Sequence, residues 1–118
     1  MWSGASPAVA ANVDTVWGFT GVADSAANTF TTTNCSLTFA QKSVVNTSNV
    51  TLAGASTFTT CVIDDGNTSL KEDFAFCTAI DNAGTNWNGE SANYELMVPT
   101  DDSSPTATET YYFFAELN

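Results

Sequence analysis

The acids able to act as a pair are Glu72, Asp73, Glu90 and Glu95. Two carboxylates facing one bond are the apparatus of glycoside hydrolysis, one giving a proton while the other attacks or activates water. Nothing else in the chain extends that chemistry. Histidine is absent, so no serine or cysteine has an imidazole to take its proton. A chain of 118 residues built of strands and turns also offers little depth for a cleft around such a pair. The expectation is a non-enzymatic protein, with no catalytic residue and no cofactor.

Hard oxygen ligands are better supplied. Asp64 and Asp65 open the turn Asp64-Asp65-Gly66-Asn67, Glu72 follows it, and Asp81 begins an Asn/Gly-rich loop that runs to Ser91. Calcium takes such ligands, and Asp64, Asp65, Glu72 and Asp81 are the candidates for it. Neither stretch has EF-hand spacing, and turns use Asp, Asn and Gly for their tolerance of positive φ in any case.

Cys35, Cys61 and Cys77 permit one disulfide and one free thiol in three pairings, or three thiols. No CxxC occurs and no histidine completes a zinc site. Four Asn-x-Ser/Thr sequons begin at Asn34, Asn46, Asn49 and Asn67. A chain this rich in Ser and Thr yields roughly three by chance. Asn34 falls inside an expected strand, leaving Asn46, Asn49 and Asn67 as glycan acceptors. Trp87, between Asn86 and Asn88, is the aromatic placed for stacking on a sugar; Trp2, Trp17, Tyr94, Tyr111 and Tyr112 fit core or cross-strand positions.

Charge narrows the partners. Thirteen acids oppose Lys42 and Lys71, with no arginine, for a net charge of −11. Nucleic acid and anionic membrane surfaces require cations this chain lacks. The acids are uneven: residues 1–63 hold only Asp14 and Asp24, and the other eleven follow. No apolar run approaches the ~20 residues that span a bilayer. The start, Met1-Trp2-Ser3-Gly4-Ala5-Ser6-Pro7, lacks the features of a signal peptide. Either a leader preceded it or Met1 is native and the protein is made in a cytoplasm.

The elements that must hold these residues read as strands. Residues 1–11 are small and uncharged, a flexible or exchanging arm before a domain at 12–118. Alternation puts Val13, Thr15, Trp17 and Phe19 on one face of a first strand at 12–20. Further strands are expected at 30–40, at 44–45 and 50–52 around a turn, at 57–63 and at 70–80. A closing hairpin pairs 93–99 with 108–117, and no helix beyond one turn is expected. About seven or eight strands imply an all-β fold, a single antiparallel β-sandwich of immunoglobulin-like or jelly-roll type.

The small-residue arm, the sequons and the closing pattern Tyr94-Glu95-Leu96-Met97-Val98-Pro99 … Thr110-Tyr111-Tyr112-Phe113-Phe114 give the chain a style. In that style it resembles secreted β-sandwich subunits of archaeal and bacterial surface filaments that assemble by donor-strand complementation. The resemblance implies an extracellular or cell-surface structural subunit whose partners are copies of itself. Val13, Trp17 and Phe19 would then be the residues an N-terminal segment adds to a neighbour's sheet. The alternatives are a viral decoration, cement or tail protein, located on a virion, and a carbohydrate-binding module centred on Trp87.

Overall fold

The structure is a computed structural model that describes residues 6–7, 10–23, 25–39, 41–51, 54–64, 74–98 and 110–116. In chain order its elements are β1 (Ser6–Pro7), α1 (Ala10–Trp17), α2 (Ala26–Thr29), β2 (Ser36–Phe39) and β3 (Lys42–Val45). Then come β4 (Asn49–Thr51), β5 (Thr59–Asp64), β6 (Phe74–Cys77), β7 (Gly84–Thr85) and β8 (Ser91–Ala92). The fold is mainly β.

β5 is the strand on which the sheet is built. It pairs antiparallel with β4 and, further along the same edge, with β1, while β6 takes the other edge. Thr60 through Asp64 are all buried. A strand covered on both faces carries an unbroken β-branched or apolar run, here Thr59-Thr60-Cys61-Val62-Ile63, in place of alternation. One face holds Val62 with its cross-strand neighbour Phe76, packed against Ala10, Val13, Ala26 and Phe30 of the helical layer. The other face holds Cys61 and Ile63, and Cys61 is bonded there to Cys35, at the root of the β2–β3 ribbon.

The expected strand at 12–20 is instead the helix α1 with its C-terminal turn. Ala10, Val13, Asp14 and Trp17 recur at helical spacing and face inward, so the same residues satisfied both periods. Contacts at its two ends select the helix. The Ser48 hydroxyl accepts the N–H of Ala10 at 3.0 Å, covering a first-turn donor. At the other end Gly18, at φ 80°, lets the N–H groups of Gly18 and Phe19 both reach the Asp14 carbonyl. Val13 and Phe19 are buried in their own chain, and Trp17 packs on Phe19 and Phe76. In the single chain this segment is thus helical and packed on its own core, not extended. The arm expected before it contributes β1 to the sheet and the first residues of α1.

The closing hairpin is also corrected. Residues 93–98 and 110–116 form no strand, and 99–109 lie outside the described residues. Asn93 instead accepts the N–H of Asp81, and Met97 donates its N–H to the Thr60 hydroxyl. Strand propensity needs an edge to pair with, and in 93–98 these two backbone groups are engaged by other partners.

Candidate functional site

Among the described residues, large apolar side chains reach solvent mainly in two places. The first is the β7–β8 hairpin. Asn86 closes its tip: its N–H donates to the Glu90 carbonyl, and its Oδ1 accepts the N–H groups of Asn88 and Glu90. Gly89, at φ 88°, completes the turn by donating to the Asn86 carbonyl. The ring of Phe58 lies against Gly84, and Thr57 makes three hydrogen bonds with the backbone of Thr85.

Glu95 then ties the tip down. Its Oε1 accepts the backbone N–H of Trp87 at 3.1 Å, and its Oε2 accepts the Ser56 hydroxyl at 2.6 Å. Ser56 Oγ in turn accepts the N–H of Phe58. The result is that Trp87, 62% exposed, sits within a closed turn with its N–H held by Glu95. Tyr94 and Ile80 are exposed near the hairpin's base, where Asp81 bonds Asn93.

The second place is the segment 110–116. Tyr111 tilts against Trp17, with ring centroids 6.2 Å apart. Tyr112, Phe113 and Phe114 follow at 79%, 75% and 87% exposure. Three consecutive aromatics so exposed stand well apart from the scattered apolar residues normal on protein surfaces.

The sulfurs form a third arrangement. Cys35–Cys61 is the bridge, with Cα atoms 5.9 Å apart, and Cys77 keeps a free thiol. Cys77 is the cross-strand partner of Cys61, so both side chains share a face. Burial, with the Glu116 carboxylate nearby, pushes the Cys77 thiol up to about 11 from 9.0.

Of the expected calcium ligands the structure describes Asp64 and Asp81. Asp64 is buried within β5, whereas Asp81 is exposed and accepts the N–H of Ala83. Asp65, Asn67, Glu72 and Asp73 lie outside the described residues. No three acids or cysteines converge as a metal site among the described residues. Glu90 is exposed, and both carboxylate oxygens of Glu95 accept hydrogen bonds that tether the hairpin tip.

Asn46 is exposed after β3, at φ 61°, open to a glycan. Asn49 is not. It is 4% exposed, and its Nδ2 donates to Asn34 Oδ1 at 2.9 Å, so the folded chain has no room for a sugar there. Asn49 instead knits β4 to residues 32–34, beside an open groove of about 320 Å³ lined mostly by threonine and asparagine.

Asp14 is the important residue that pattern reading missed. Its carboxylate accepts the N–H groups of Ala26 and Ala27 at the start of α2. The available signal was an acid on the inward side of a helical spacing, followed by Ser25 as a cap for Ala26-Ala27-Asn28-Thr29.

Comparison with protein-family models, with curated proteins and with solved structures found no match. Among the described residues no helix is long and apolar enough to cross a membrane.

Proposed function

We propose that this protein is a non-enzymatic structural subunit that assembles with copies of itself at the cell exterior. The exposed run Tyr112-Phe113-Phe114 carries that reading. Each aromatic side chain can remove roughly 150–250 Å² from water. One such run seated on a second copy, counting both surfaces, approaches the ~1,000 Å² that a specific interface needs. The donated segment is then the C-terminal one, since residues 12–20 are spent in the chain's own core. In the assembled form the β5-centred sheet and the β2–β3 ribbon act as the two layers of a small sandwich. The Cys35–Cys61 bridge supports an oxidising, extracellular setting.

The test is sedimentation and negative-stain microscopy of the wild-type chain beside Tyr112→Ser/Phe113→Ser/Phe114→Ser. Polymer or oligomer in the wild type and monomer in the triple variant is expected. A wild type that stays monomeric at high concentration overturns the reading.

A second reading rests on Trp87. An indole held open on a braced hairpin, with amide side chains on either side, is suited to stacking on a saccharide ring.

A further inference from the structure

The three sulfur atoms occupy one face of the sheet around β5. Cys61 is bonded to Cys35 on the ribbon side and is register-paired with Cys77 on the β6 side. Directly paired residues of antiparallel strands have Cα atoms about 4.5–5.5 Å apart, within the ~4.4–6.8 Å that a disulfide spans. A bridge between Cys61 and Cys77 therefore needs no strand to move.

The geometry points to a sulfur exchange in which Cys61 trades its bond to Cys35 for a bond to Cys77. Cys77 gives its proton to solvent, and the thiolate attacks Cys61 Sγ. The Sγ61–Sγ77 bond forms as the Sγ61–Sγ35 bond breaks. Cys35 leaves as a thiolate and takes up a proton. One disulfide and one thiol stand on each side of the step, so no oxidant or reductant enters. Cys61 is the sulfur attacked because it is the one aligned with Cys77.

The exchange is gated. The Glu116 carboxylate acts on the Cys77 thiol from close by. Buried as it is, that thiol holds its proton at neutral pH, and only the thiolate attacks. Moving Glu116 away removes the negative charge that holds the proton on, and so eases release of the nucleophile. The product differs from the starting fold in what is tethered. The β2–β3 ribbon alternates exposed and half-buried residues along β2, and the Cys35 bridge at its root bonds it covalently to β5. A two-stranded ribbon is marginal without such support. Exchange thus turns a clamped ribbon into a loosely held one carrying a new thiol. None of this depends on the assembly reading.

The experiment uses the intact oxidised chain. Samples held from about pH 7 to about pH 10 are quenched with acid, alkylated and digested without reduction, so that each trapped thiol reports the bridge then present. A Cys61–Cys77 peptide with alkylated Cys35 is expected. Its rate of appearance should rise about tenfold per pH unit below the thiol's pKa, and it should be missing in Cys77→Ser. Alkylation confined to Cys77 at every pH overturns the proposal. The variant Cys35→Ser, refolded with reduced and oxidised glutathione, keeps the test independent of rate. An internal Cys61–Cys77 bridge supports the proposal, whereas glutathione adducts or cross-linked dimers in its place overturn it.

Discussion

Asp14 and Ala26 are joined by a 2.7 Å hydrogen bond from the Ala26 N–H to the buried carboxylate, and the second carboxylate oxygen takes the N–H of Ala27. One side chain of α1 thereby satisfies two donors at the start of α2, beside the Ser25 cap that serves Asn28. Asp14→Ala leaves the buried Ala26 donor and the partly buried Ala27 one without that partner. Charge-assisted bonds of this kind are worth about 1.5–3 kcal/mol each, so the variant should lose about 3 kcal/mol in urea unfolding. Asp14→Asn, which retains one acceptor, should lose less. Equal stability of all three proteins would show that the helices hold together without this contact.

Gly84 is required because Phe58 occupies the space of a side chain there. Gly84→Ala should destabilise the fold by about 1–3 kcal/mol through overpacking. Combining it with Phe58→Leu should recover part of that loss, a coupling that a double-mutant cycle reads directly. Additive effects would place the strain elsewhere.

Trp87→Ala should leave unfolding free energy within about 0.5 kcal/mol of wild type, because the indole is mostly in solvent. Any binding of neutral oligosaccharides, followed by intrinsic fluorescence, should disappear with it. Glu95→Ala should weaken the same binding through the loosened tip. If no oligosaccharide perturbs the wild-type fluorescence, the saccharide reading fails.

The Cys77 thiol gives stability a sign with pH. Its folded pKa is raised from 9.0 to about 11. The folded state therefore holds a proton that the unfolded chain gives up. Stability is complete below about 9 and declines as pH rises through about 11, by about 2–3 kcal/mol at full ionisation. Rapid thermal scans of wild type and Cys77→Ala should diverge over that window and coincide below it. Parallel curves throughout would show that the thiol is not so shielded.

Much of the sheet was legible in the chain. The runs around Val44-Val45, Val50, Thr59–Ile63 and Phe74–Cys77 were all expected as strands, and β3, β4, β5 and β6 fall on them. Their signal is local: β-branched and aromatic residues between turn residues. The stretch from Val13 to Phe19 was ambiguous, since Val13 and Trp17 share a face at either period. What resolves it is Ser48, thirty-eight residues away from Ala10, which no local pattern contains. The tail failed for the opposite reason. Tyr111 to Phe114 has strong strand propensity, but among the described residues no strand pairs with it. The sites divide in the same way. Trp87 was visible as a lone aromatic among asparagines, while Glu95's grip on it and the alignment of Cys77 with Cys61 needed coordinates.

The position of β5 has a consequence for how the chain comes into being on a ribosome. Ser6 pairs with Asp64, Ala10 bonds Ser48, and Cys35 bonds Cys61. Each early segment waits for a partner translated much later, and closing such distant pairs is the slow part of reaching a β-rich fold. Until Thr59–Asp64 has emerged, α1 has no sheet to cover and Cys35 has no bridge to make. The nascent first half therefore displays Val13, Trp17, Phe19 and Phe30 to its surroundings, the interval in which chaperones or neighbouring chains can reach them.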